Sequence, residues 1–476
     1  MTIELIGFLT LAIGLVGMFL DPSFLVYSFL GATLLGSAAA FILTSLGGTN
    51  ISPAHLLLGF LTVKLLFDKT IRKNALDGLG APSPGFWLLL TVMYCALSAF
   101  FMPVFFEGKT FVYPVRVVGS NVYTDLLAPS TSNLTQSIYL IGDFVCFFVL
   151  SGYARTPFGL RTLSNAVLAT VMLNLVFAVL DLVTFATGTS ELLLVIRNAN
   201  YALLSDTEIV GFKRIVGSFI EASSFGAATL GFFAYTSKLW LLGVNPRLTA
   251  MLSACSLVAL VFSTSSTAYV GLVVLVAVFY LEAGIQAAFG RMTRQRALLL
   301  MGAPFAIVVI GIATFLNEAA SAYVQNIADT LIFNKMTTQS GYERAAWNAQ
   351  ALQVFLDTYG FGAGNGSLRA SSFPIVVLGN LGIFGTVLVC VFLASIFFGK
   401  RHFTGANRID DADRQAAKAA CFAALLTATI SGALTDLGLP FFAFAAIACA
   451  RSPNMGSALM GANVGGSYLP KPTVTG

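Results

Sequence analysis

Apolar stretches of about 18 residues or more recur along the whole chain, and they constrain what it can fold into more than any motif does. Each is long enough to cross ~30 Å of hydrocarbon, where no water is present to satisfy a backbone N–H or C=O. The spans must therefore close their hydrogen bonds inside helices and pack on one another. The 476 residues, 57% hydrophobic with a mean hydropathy of +0.85, thus read as one integral membrane domain over 1–476 rather than as three soluble domains of ~150 each. The fold class is all-α, a polytopic bundle of about thirteen spans in a range of about 12–14.

Spans are expected near 3–20, 23–45, 51–67, 86–106, 134–152, 162–186, 222–242, 248–262, 268–285, 297–316, 373–398, 417–434 and 437–450. The first lacks a basic n-region, so it is expected to serve as an uncleaved targeting signal. Basic residues collect in alternate loops: Lys69, Arg72 and Lys73; Arg155 and Arg161; Arg247; Arg291, Arg294 and Arg296; Lys400, Arg401, Arg408, Arg414 and Lys418. The positive-inside rule makes those loops cytoplasmic and places 107–133, 189–221 and 317–372 outside, with 451–476 a cytoplasmic or disordered tail. The formal charge of +5 follows from that topology and does not imply nucleic acid.

The polar insert 317–372 stands out in a chain that is 10% charged, since it holds Lys335, Glu343, Arg344, Asp357 and Arg369. Within it, Ser340 and Glu343 have the spacing of a capping box, followed by Trp347, Ala351, Leu352 and Phe355 at helical spacing. A short amphipathic helix on the bilayer surface is the expectation. Gly362, Gly364 and Gly366 read as a flexible turn leading Arg369 toward the membrane, because no strand precedes them to make a nucleotide-binding loop. Upstream, Lys213 and Arg214 stand just before an apolar run, among Gly211, Gly217 and Gly226. Irregular backbone at that depth is tolerated only where protein buries it or it lines a cavity, and a guanidinium there suits an anion through its bidentate fork.

Metal chemistry is not expected. His55 and His402 are the only histidines, and Asp410, Asp411 and Asp413 sit in a cytoplasmic loop too short for a catalytic domain of ~100 residues. Cys95, Cys146, Cys255, Cys390, Cys421 and Cys449 lie in apolar runs without CxxC spacing and read as small packing residues.

The segment Arg214-Ile-Val-Gly217-Ser-Phe219-Ile-Glu221, running on to Phe225 and Gly226, resembles the R-x-x-G-x-F box of the bacterial O-antigen ligase and polymerase superfamily. Phe262-Ser-Thr264-Ser265-Ser266 is similar to its T-x-S-R turn, with Ser266 in place of the common arginine. Arg344, Trp347, the Tyr359–Ser367 glycine series and Leu381-Gly382-Ile-Phe-Gly385 resemble its large periplasmic loop and the exit into the next span. The likeness covers about 200–395. Superfamily ligases carry His, then Asn, Ser or Gln, then nine residues and G-x-x-G; here Ser372, Gly382 and Gly385 fit, but Ser371 holds the histidine position. Serine is no imidazole base, so the resemblance favours a Wzy-type polymerase over a ligase.

The resemblance implies a GT-C-like fold in the bacterial inner membrane and a metal-independent, cofactor-free glycosyltransferase facing the periplasm. Its donor and acceptor would be undecaprenyl-diphosphate-linked glycans, polymerised into O-antigen or exopolysaccharide, with membrane lipid and a chain-length regulator as further partners. Charge develops on a departing diphosphate, so fixed cations matter most. Arg214 and Arg344 are the leading catalytic candidates, with Glu221 as proton acceptor and Glu343 as a weaker one; Arg116, Lys213, Arg369, Ser371 and Ser372 complete the substrate-binding set. The rivals are an O-antigen ligase acting on lipid A core, and a lipid-linked oligosaccharide flippase or other transporter. The second would use intramembrane ionisable groups such as Asp143, Asp181, Glu282 and Lys64, each near enough to a span end to be solvated.

Overall fold

The computed structural model describes residues 2–43, 49–115, 123–199, 208–209, 212–317, 321–322, 325, 339–399 and 408–450. Arg116, Lys335 and the tail 451–476 lie outside the described residues.

The chain is a helical bundle. Among the described residues six helices are long and apolar enough to cross a membrane: α5 (Pro84–Phe105), α6 (Thr131–Ala154), α7 (Gly159–Ala186), α10 (Ser266–Ala288), α11 (Arg294–Leu316) and α13 (Phe373–Phe398). Five other apolar helices are shorter: α1 (Leu5–Phe19), α2 (Pro22–Ala32), α3 (Pro53–Phe67), α9 (Pro246–Phe262) and α15 (Leu439–Ala448). The remaining helices are α4 (Lys69–Asp77), α8 (Ala222–Leu241), α12 (Gln339–Asp357) and α14 (Arg408–Ser431). Among the described residues seven short strands, β1 (Thr2–Ile3), β2 (Phe41–Leu43), β3 (Thr49–Ile51), β4 (Phe111–Val112), β5 (Asp125–Leu126), β6 (Glu208–Ile209) and β7 (Phe212–Lys213), pair antiparallel as β1-β2-β3, β4-β5 and β6-β7.

The expected span 23–45 does not form. Its helix α2 stops at Ala32, and Leu34, Ser37, Ala38, Ala39 and Ala40 continue as buried, non-helical chain. Small side chains raised the hydropathy of this run, but they serve close backbone approach. Ser37 N–H donates to Ser218 O at 3.4 Å, Ala199 N–H to Ser37 O at 3.0 Å, and Ala39 N–H to Asn198 Oδ1 at 2.9 Å. Irregular chain thus finds its hydrogen bonds in protein, as an apolar setting demands. The expected span 437–450 is likewise the ten-residue α15, with Pro440 in its first turn and every residue from Phe441 to Ala448 buried. Helices buried all round belong to an interior.

The glycine series of the polar insert is not a flexible turn. Ala363 N–H donates to Gly379 O at 2.9 Å and Gly364 N–H to Asn380 O at 2.8 Å, while Asn380 Oδ1 accepts from the backbone of Ser367 and Leu368. The close approach works because α13 breaks at Gly382, φ 62° and ψ −163°, where a Cβ would lie 2.3 Å from the Phe361 backbone. Gly382→Ala should therefore cost at least the ~1–3 kcal/mol of a strained backbone, read as a lower midpoint for unfolding of the detergent-solubilised protein; an unchanged midpoint would contradict the fit.

Helix α12 begins at Gln339, so Ser340 is already helical and cannot be the N-cap of a capping box. Its buried apolar side chains among the described residues are Ala351 and Val354, whereas Leu352 is exposed. The helix packs against α13 and the β4 strand, where Gln350 Nε2 donates to Phe111 O at 2.6 Å and Thr110 Oγ1 to Asp357 Oδ2 at 2.6 Å. Among the cysteines, all free, Cys255 and Cys390 are exposed rather than buried as expected.

Candidate functional site

Arg214 follows β7, in a segment whose irregular backbone is held from below by α7. Asp181 of α7, 1% exposed, accepts from Val216 N–H at 2.7 Å and Gly217 N–H at 3.0 Å through Oδ2. Its Oδ1 pairs with Arg197 at 2.7 Å and Lys213 at 3.5 Å. Arg197 also donates to Gly217 O from Nε at 3.2 Å. Asp181 was expected near a solvated span end; it is a buried clamp instead. Lys213, read from sequence as substrate-binding, is turned into this clamp and lies over the Phe185 ring at 5.1 Å.

Arg214 points the other way. Its Nε donates to Thr264 Oγ1 at 3.1 Å and its Nη2 to Thr264 O at 3.3 Å. Thr264 sits at φ 45° in the turn between α9 and α10, so two of the sequence boxes meet directly. Burial pushes the half-buried guanidinium below its ordinary value, and the Glu221 carboxylate opposes that shift. Glu221 stands at the N-terminal boundary of α8 and accepts a hydrogen bond from Ser223 Oγ.

The clamped glycine loop delivers Arg369 to the same place. Its Cζ lies 4.0 Å from the Trp347 ring centroid of α12, and its buried Nε has no hydrogen-bond partner among the described residues. Burial lowers this guanidinium as well; Glu343 and Glu221 oppose the shift, while Arg344 adds to it. Arg214, Arg369, Arg344, Glu221 and Glu343 are therefore electrostatic neighbours, with Glu221 common to the first two. Ser371 is only 5% exposed and gives its N–H to Asn348 Oδ1 at 2.7 Å. Ser372 is the N-terminal boundary residue of α13.

Beside the cluster, between α8, α14 and α15, lies a cavity of 280 Å³ lined by Glu221, Ser223, Ser224, Phe232, Phe373, Thr427, Ser431, Asp436, Leu437, Phe441 and Phe444 among others. Asp436 escaped the sequence reading, although Gly432, Gly438 and Pro440 around it are turn signals that set it off from the flanking helices. Its Oδ1 accepts from Gly438 N–H, and the adjacent Thr435 Oγ1 donates to Asn365 Oδ1 at 2.6 Å. Asn365 belongs to the glycine loop and is itself held by Asn133 Nδ2, which donates to Asn365 O at 2.8 Å. One network therefore places both Arg369 and Asp436.

The other intramembrane candidates are distributed. Lys64 Nζ caps Met18 O at 2.6 Å, and Glu282 pairs with Lys238. Asp143 of α6 is 1% exposed, with neither carboxyl oxygen receiving a bond from an N–H or O–H donor among the described residues, and it lies beside the Asp436 carboxyl. Among the described residues no group of three or more His, Cys, Asp and Glu is arranged to hold a metal ion. The arrangement offers clustered guanidiniums next to a largely apolar cavity that holds two carboxyl groups. No protein-family model matches the chain, and no curated protein matches it.

Proposed function

We propose that the protein transfers a glycan from a polyprenyl diphosphate carrier to a hydroxyl of a second lipid-linked glycan, as a polysaccharide polymerase of the bacterial inner membrane with its site on the periplasmic face. The observation that carries this reading is the gathering of Arg214 and Arg369 around Glu221 at an apolar cavity, with Arg344 next in the cluster. Guanidiniums bind phosphate oxygens as a fork, and a largely apolar cavity suits the carrier's first prenyl units. Arg369 has an unpartnered Nε and a Trp347 face that fixes its plane, so it is prepared for an anion.

In the reaction, the acceptor oxygen attacks the anomeric carbon as the sugar–diphosphate bond breaks. The electron pair of that bond leaves with the diphosphate, and the guanidiniums meet the charge developing there. A ligase is disfavoured by Ser371, which replaces histidine and whose backbone is tied to Asn348. The buried Asp143 carboxyl favours a transporter as the second reading, because ionisable groups in a span are expensive to keep.

The test is reconstitution in proteoliposomes with lipid-linked oligosaccharide repeat units extracted from the source cells. Polymerisation predicts a ladder of new glycosidic bonds, absent with Arg344→Ala. Movement of the substrate across the bilayer with no new bond would establish the transporter, and transfer to lipid A core the ligase.

A further inference from the structure

The cavity contains two carboxyl groups, and they stand in different company. Glu221 accepts from Ser223 Oγ and lies in the field of Arg214 and Arg369. A carboxylate in that position is suited to hold arginines in register. Asp436 makes no ion pair among the described residues, and its neighbours are the Asp143 carboxyl and the His55 ring. Its carboxylate is held by the Gly438 N–H, and the neighbouring Thr435 side chain is tied to Asn365. Asp143 has two buried oxygens without an N–H or O–H donor among the described residues, and it lies against the Asp436 carboxyl. His55 Nδ1 is engaged with Ser52 Oγ at 2.8 Å, and its ring lies 5.2 Å from that of Tyr139. A rigid carboxylate facing a cavity, not spent on a cation, is what a general base requires, and two carboxyls with contrasting surroundings divide roles accordingly.

We infer that Asp436, rather than Glu221, is the catalytic base of this site, an assignment that rests on the glycosyl-transfer reading. The Asp436 carboxylate takes the proton of the attacking sugar hydroxyl. The oxygen's electron pair forms the bond to the anomeric carbon, and the carbon–oxygen bond to the diphosphate breaks, its pair leaving with the lipid diphosphate. Asp436 then returns its proton to water and is a carboxylate again. Asp143 is a positioning residue that holds Asp436 from behind. Glu221 positions Arg214 and Arg369.

The experiment compares full-length wild type, Asp436→Asn and Glu221→Gln in the same proteoliposomes, measuring single-turnover glycosidic bond formation and, separately, inorganic pyrophosphate binding. The expected result is a rate at least about 100-fold lower for Asp436→Asn with pyrophosphate binding within about threefold of wild type, the size of effect a lost general base produces. Glu221→Gln should weaken pyrophosphate binding instead. If Asp436→Asn does not fold, Asp436→Glu carries the test: it keeps the carboxylate but displaces it by one methylene, and its rate should fall at least tenfold with binding retained. A folded Asp436 variant that turns over at the wild-type rate overturns the assignment. Loss of pyrophosphate binding together with rate does so too, because the residue is then structural. Wild type that binds pyrophosphate yet forms no glycosidic bond overturns the glycosyl-transfer reading itself, and this assignment with it.

Discussion

Replacing Asp181 by asparagine is expected to destabilise the protein by about 3–5 kcal/mol, because it takes the negative charge away from the buried Arg197 guanidinium that pairs with it. Arg197 and Lys213 both pair with Oδ1, at 2.7 and 3.5 Å, and their side chains are 4% and 5% exposed. The same carboxylate receives the backbone N–H groups of Val216 and Gly217, so the amide would also have to relinquish part of the hold on the Arg214 segment. The effect should appear as a large loss of folded protein on detergent extraction and a lower denaturant midpoint for whatever remains. A variant that extracts and unfolds like wild type would show that the clamp is dispensable. Reading Asp181 as part of an ion pathway predicts the opposite, a folded protein with altered transport.

Arg214→Ala should lower glycosidic bond formation by about 100- to 1000-fold, the usual consequence of removing one fixed group that stabilises developing charge. Arg214→Lys should recover little of this. A lysine offers one point charge, whereas the planar Arg214 guanidinium is oriented by two bonds, from Nε and Nη2, to Thr264. Initial rates with the lipid-linked donor check both variants, and the denaturant midpoint confirms that each is folded. Arg214→Ala retaining a third of the wild-type rate would remove this residue from the mechanism.

The long helices were readable from hydropathy alone. The expected spans 134–152, 162–186, 268–285 and 373–398 each fall within three residues of α6, α7, α10 and α13, since continuous apolar length is a strong signal. The signal fails where apolar residues do something else. Ala38, Ala39 and Ala40 score as hydrocarbon but act as spacers for backbone hydrogen bonding, and Phe441 to Ala448 score as a span but form an interior half-helix. Charged residues divide the same way. Arg214 and Arg369 drew attention through motif order and side of the membrane, which says nothing of their shared neighbour Glu221. Asp181 was read as an ion-pathway candidate because its partners Arg197 and Lys213 are 16 and 32 positions away, beyond any helical spacing. Asp436 was missed because a single acid in a seven-residue turn has no pattern of its own.

The interrupted α2 segment also bears on biogenesis. An eleven-residue helix is too short to partition into lipid by itself, and the chain that follows it needs acceptors and donors near Ser218, about 180 positions later in synthesis. The N-terminal region therefore cannot mature in the order in which it leaves the ribosome. Its hydrogen bonds close only once the segments of Ile196, Asn198 and Ser218 have followed, about 160 to 180 positions further along the chain.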